Sequence, residues 1–180
     1  EFGTNFHVLG KDEPADLEEV RRSQAAHGVS VVAIAENWRG KWDVVPSMNS
    51  RRITGNTEVE FSGPVAGSSL LMNAAGNTPR GTLNNCGSGP TPWGTYITCE
   101  ENFNAYFGAE DANIGGFEPL QDEAYARYGF NQFGFGYFWY KFDPRFDLKN
   151  SMYANESNRF GWLVDIDPFD STQTPVKRTA

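Results

Sequence analysis

The stretch Gly81-Thr82-Leu83-Asn84-Asn85-Cys86-Gly87-Ser88-Gly89-Pro90-Thr91-Pro92-Trp93-Gly94-Thr95-Tyr96-Ile97-Thr98-Cys99-Glu100-Glu101-Asn102 constrains the fold more than any other. Its first half is made of turn formers, residues that supply unusual φ values or bond their own backbone. Thr95 to Cys99 is β-branched and aromatic, which suits a pleated, half-buried strand. Side chains alternate along it, so Tyr96, Thr98 and Glu100 share one face, and Thr95, Ile97, Cys99 and Glu101 the other. Where the strand frays, both carboxylates could reach one cavity. Hard cations take carboxylate, amide and backbone oxygens, and Glu100, Glu101, Asn102, Asn84 and Asn85 offer them. Two glutamates after a strand also read as a solvated edge, and residue types alone do not separate the two.

The rest of the chain agrees with a turn-rich β protein. Its 180 residues carry Gly 19, Pro 10 and 14% aromatics, enough for one domain with a sizeable core. No apolar run approaches the ~20 residues needed to span a bilayer. The net charge of −8 argues against nucleic acid and anionic membrane surfaces as partners. Two cysteines, Cys86 and Cys99, allow one disulfide or two thiols, and fit no zinc pattern with the remote His7 and His27. No Ser, His and Asp combination suggests a triad, so any chemistry rests on carboxylates and metals. Glu1 is not an initiator methionine, so the chain is expected to be processed or a piece of a longer one.

Along the chain, Glu13 to Ala26 reads as the one short helix, with Asp12 as N-cap, Pro14 in the first turn, Leu17, Val20 and Gln24 on one stripe, and Gly28 as the stop. His27 is expected to cap or lie at the surface. Val29 to Ala35, the turn Asn37-Trp38-Arg39-Gly40 and Lys41 to Val45 read as a hairpin. Thr57 to Phe61 alternates as a strand. Arg51 and Arg52 suit structural salt bridges better than a phosphate clamp. Asn102 to Phe107 reads as a helical turn, Gly108 to Asp122 as a surface insertion, and the aromatic run Tyr125 to Tyr140 as mostly core. Trp139-Tyr140-Lys141-Phe142-Asp143-Pro144 and Trp162-Leu163-Val164-Asp165-Ile166-Asp167-Pro168 echo each other as strands ending in Asp-Pro turns. Repeated strand-plus-turn units suit propeller blades. Asp165, Asp167 and Asp170 lack the glycine of an EF-hand loop, and a turn is the better reading.

The order of residues goes further than their types. Gly81-Thr82-Leu83-Asn84-Asn85-Cys86, then Thr91-Pro92-Trp93-Gly94-Thr95, then Thr98-Cys99-Glu100-Glu101-Asn102 resembles the signature of the PhoX-type alkaline phosphatases. So do Ala26-His27-Gly28-Val29, Asn49-Ser50-Arg51-Arg52-Ile53-Thr54, Ser62-Gly63-Pro64, Asn158-Arg159-Phe160-Gly161-Trp162 and Pro175-Val176-Lys177-Arg178-Thr179-Ala180. The resemblance implies an all-β fold, two to three blades of a six-bladed β-propeller, with residues 1–180 a single partial domain. It implies hydrolysis of small phosphomonoesters at a cluster of calcium and iron with a bridging oxo group, twin-arginine export to the periplasm or beyond, and a monomeric intact enzyme. Carried over, Glu100 or Glu101 is the metal ligand and catalytic carboxylate, with Glu100 ahead because Ile97 and Cys99 suggest that the opposite face is core. Asn84, Asn85 and Trp93 shape the pocket, and Arg159 contacts phosphate. A multivalent cation cluster would also offset the acidic charge toward an anionic substrate. Family members are several-fold longer and bring further ligands outside these residues, so this chain alone is expected to be inactive. The rival expectation is a non-catalytic propeller module that binds a partner through Tyr125–Tyr140.

Overall fold

The computed structural model describes residues 5–114 and 119–179; Glu1-Phe2 and Ala180 lie outside them. Two short helices open the chain, α1 (Phe6–Leu9) and α2 (Leu17–Ala26). Asp16, not Asp12, caps α2: its carboxylate accepts the Glu19 N–H, and Glu18 and Glu19 sit in the first turn, where the helix end is positive. Pro14 therefore precedes the helix. Val20, Ser23 and Gln24 are buried while Leu17 stays largely exposed.

Residues 29–35 do not form one strand. β1 (Val29–Val31) pairs with β4 (Arg51–Ile53), and β2 (Ile34–Glu36) makes the expected hairpin with β3 (Trp42–Val44). At Gly28, φ is +102° and a Cβ would fall 2.0 Å from the Ile53 carbonyl oxygen, so only glycine admits the β1–β4 approach. Arg51 and Arg52 make no ion pair among the described residues. They donate to carbonyls instead, Arg51 to those of Asn49, Asp167 and Asp170, and Arg52 to those of Ala25 and His27.

The main sheet has five strands in the order β5-β9-β8-β7-β6: β5 (Glu60–Ser62), β6 (Asn85–Pro90), β7 (Tyr96–Glu100), β8 (Leu163–Ile166) and β9 (Val176–Arg178). Pairing is antiparallel from β6 to β9, and β5 joins β9 in parallel. Among the described residues the sheets form no closed barrel, and the fold is mainly β with a few short helices. The excursion between β7 and β8 carries α3 (Pro119–Tyr128) and several 3-10 turns. The first of these, Phe103–Tyr106, is the expected helical turn. Residues 110–113 are exposed as an insertion should be, but Ala109 is buried, and residues 115–118 lie outside the described part.

The core sits inside that excursion. Tyr106, Phe107, Tyr125, Phe130, Tyr137, Trp139, Tyr140, Phe146 and Phe160 are buried, with Val20 and Leu83 packed among them. Tyr106 stacks on Tyr137 and Trp139 at 4.5 and 4.9 Å between ring centroids, contacts worth roughly 0.5–1.5 kcal/mol each beyond burial. His27 stands edge-on to Tyr106, Tyr137 and Trp139 and takes its place at the end of α2 against the Ser23 carbonyl. The aromatic run is therefore mostly core, with Tyr128, Phe133 and Phe135 outside. The proposed echo fails locally: Trp139–Lys141 is a 3-10 turn, whereas Leu163–Ile166 is a strand.

Candidate functional site

The loop before β6 and the end of β7 do meet. Asn85 stands opposite Glu100 in the β6–β7 ladder, and the Glu101 N–H donates to the Asn84 carbonyl at 2.9 Å. Asn84 takes φ +49°, a left-handed value that Asn tolerates better than most residues. That bend turns the loop back along the strand tip.

The two acids go different ways. Glu100 is buried, and its side chain is wholly enclosed. Oε1 accepts from Thr82 Oγ1 at 2.9 Å and lies 2.9 Å from Lys177 Nζ. Oε2 accepts from Lys177 Nζ at 3.1 Å and from the Gly161 and Trp162 N–H groups at 3.0 and 3.2 Å. Lys177, equally enclosed, also donates to the Arg159 carbonyl at 2.6 Å and lies 4.1 Å from the centre of the Phe160 ring. Burial pushes the lysine below its usual range and the Glu100 charge pulls it back; three oxygen acceptors and a π face are the surroundings of an ammonium. Glu101, by contrast, is exposed and its side chain makes no hydrogen bond among the described residues.

The inward face of β7 thus carries the buried Thr98 and Glu100, while Tyr96, Ile97 and Cys99 are half-buried. This reverses the expectation that Ile97 and Cys99 face the core. The physical reason is Lys177, whose charge lets a carboxylate go inside. Asn85 shares the inner cluster, donating from Nδ2 to Thr82 Oγ1 at 2.8 Å, while its Oδ1 is buried and accepts nothing among the described residues. Asn84 is buried, Trp93 is exposed, and Cys86 and Cys99 carry thiols rather than a disulfide.

The Arg159 guanidinium turns to partners within the chain. It donates to the carbonyls of Leu71 and Gly76 and pairs with Glu156 Oε2 at 3.2 Å. Arg145 binds Glu156 Oε1 through Nε at 2.9 Å, and its Nη2, also 2.9 Å from that oxygen, gives a charge contact without hydrogen-bond alignment. The polar cavity beside this centre, about 240 Å³, is lined by Glu58, Thr78, Arg80 and Tyr153 as well. A second, largely apolar cavity of about 970 Å³ lies between Leu70, Phe103, Tyr125 and Trp162. Asp165 pairs with Arg178 at 2.7 Å; Asp167, in the expected Asp-Pro turn, accepts the Phe169 N–H, and Asp170 closes a further turn onto the Thr172 N–H.

A family model described as alkaline phosphatase PhoX matches residues 3–180. The chain belongs to the PhoX alkaline phosphatase family. It is also similar to the structure of Pseudomonas fluorescens PhoX in complex with vanadate, a transition-state analogue. The two share 42% identity at a TM-score of 0.85, over 97% of this chain and 29% of that one. No curated protein matches. The chain thus spans under a third of the length of the PhoX structure it resembles.

Within this family segment no three His, Cys, Asp or Glu side chains converge on one point among the described residues. The donor chemistry fits a hard cation in part. Glu101 has both carboxylate oxygens unspent and Asn85 Oδ1 is an orphaned amide oxygen, whereas calcium takes about six to eight oxygens. Sequence reasoning missed Lys177, Thr82 and the Gly161–Trp162 amides. The one available signal was a lysine centred in the short β-like run Val176-Lys177-Arg178, where alternation places it opposite its neighbours.

Proposed function

We propose that this chain is a segment of a metal-dependent alkaline phosphatase that hydrolyses small phosphomonoesters. The observation that carries the reading is the 42% identity, over nearly the whole chain, to a PhoX that binds vanadate as a transition-state analogue. The antiparallel run β6-β7-β8-β9, in sequential order, has the form of one blade of a β-propeller, and we assign it so.

In this reading Glu101 is the carboxylate that holds a cation, calcium by its donor chemistry, and iron by family resemblance. Asn84 and Asn85 shape the adjoining bend. Glu100 stays with Lys177 and supports the strand tip from inside. Arg159 holds Glu156 and the carbonyls of Leu71 and Gly76, and takes no part in binding phosphate. When bound, the cations would polarise the phosphoryl oxygens and stabilise the leaving alkoxide. Glu101 and its bend supply only part of a ligand set, so the 180 residues alone hydrolyse weakly or not at all. Export by the twin-arginine route belongs to the same reading.

A chimera tests it. Exchanging this chain for the matching segment of Pseudomonas fluorescens PhoX should preserve calcium-dependent hydrolysis of p-nitrophenyl phosphate. Glu101→Gln in that chimera should lower kcat/KM by about 100-fold or more, the scale of losing one electrostatic contact to the reacting group. A folded chimera whose activity ignores Glu101→Gln would overturn the assignment.

A further inference from the structure

Adjacent identical acids leave a strand without a preferred face at its tip. A one-residue slip of β7 would exchange Glu100 for Glu101 and keep the same residue type at both places. Something outside the strand must therefore choose. We propose that Lys177 is the positioning residue that makes this choice, drawing Glu100 inward and so turning Glu101 outward as the ligand carboxylate. The role assigned to Glu101 rests on the phosphatase reading above; the positioning itself does not.

Three observations carry it. First, Lys177 Nζ contacts both oxygens of Glu100, and Thr82 Oγ1 with the Gly161 and Trp162 N–H groups completes the set, so no part of that carboxylate faces solvent. Second, alternation then obliges Glu101 to face out, and its N–H is fixed to the Asn84 carbonyl. Third, the loop that carries Asn84 and Asn85 rests on the same lysine: a Cβ added at Gly81 would fall 2.8 Å from Lys177 Nζ and 3.1 Å from the Phe160 ring. Lys177 thus sets the strand tip through Glu100, and the asparagine bend through Gly81 and Thr82.

The test is amide hydrogen exchange by NMR on the 180-residue chain, with calcium titrated as a separate arm into the Pseudomonas fluorescens PhoX chimera described above. Lys177→Met alone strands a buried carboxylate and is liable to unfold, so the informative variant is the uncharged pair Glu100→Gln/Lys177→Met. If Lys177 positions the tip, exchange at the Glu101 N–H rises at least about tenfold in the double variant, while the Thr98 and Val164 amides keep their protection. Equal rises at all three amides, or no rise at Glu101 in a folded double variant, would overturn the proposal. In the calcium arm, Glu101→Gln should weaken binding and the double variant should do so more mildly. If exchange responds as expected but Glu101→Gln leaves calcium binding of that chimera unchanged, the positioning stands and the metal reading of Glu101 is what fails.

Discussion

Glu100 and Glu156 are both buried carboxylates held by cations, yet they are built differently. Glu156 has two guanidinium partners, Arg145 and Arg159, together with the Asn73 amide at 2.8 Å. That centre keeps an excess positive charge and opens onto a polar cavity lined by Arg80. Glu100 has a single ammonium, a hydroxyl and two backbone N–H groups. The first arrangement is redundant, since removing one arginine leaves the acid paired. The second has no reserve, and all of its charge balance rests on Lys177. Redundancy suits a scaffold that ties Leu71, Gly76 and Gly55 together. A single cation suits a choice between two alternatives.

The sharpest way to break this contrast is Lys177→Met. Removing one partner of a buried pair costs about 3–5 kcal/mol, so urea unfolding should show the largest loss here, with more than half of it recovered in Glu100→Gln/Lys177→Met. Arg159→Met should cost less, about 1–3 kcal/mol, because Glu156 keeps Arg145 and only the hydrogen bonds to Leu71, Gly76 and Glu156 are lost. Equal losses for the two variants would erase the distinction between the centres. The smallest effect belongs to the solvent-facing pair Lys11–Glu19, at 2.7 Å. The hydrogen bond from Lys11, followed by the Ala15 N–H, holds the Glu19 carboxyl below its ordinary value of 4.5. A depressed folded value means that its contribution is present above about pH 4.5 and fades as pH falls through the folded value. Glu19→Gln should flatten the stability profile over that interval, and high salt should mimic it.

Much of this could be read from the residues, wherever local chemistry decides. Glu18 and Glu19 at the start of α2, the Asn37–Gly40 turn, the strand over Tyr96–Cys99 and the turns at Asp167 and Asp170 follow from caps, turn formers and β-branching. The same rules place most of the Tyr125–Tyr140 aromatics in the core. What escaped depends on partners far along the chain. Nothing within β7 announces that Glu100 will meet Lys177, and by local patterning Ile97 and Cys99 were the better candidates for burial. Trp139 has a strand-like neighbourhood but is fully buried against Phe146 and Tyr106, and packing chose a tight turn. Arg159 is a plausible oxyanion contact by type, and only the approach of Glu156, Leu71 and Gly76 shows where its donors go.

The placement of β9 sets a timetable. It fills the slot between β5 and β8, so Glu60–Ser62 and Leu163–Ile166 each keep a bare edge until Val176–Arg178 has been synthesised. The same tripeptide delivers the ammonium that Glu100 awaits. A chain growing from its N-terminus must therefore carry a sticky strand edge from β5 onward, and an unneutralised acid from β7 onward, until β9 arrives. Deleting Val176–Arg178 alone would remove the keystone of the sheet.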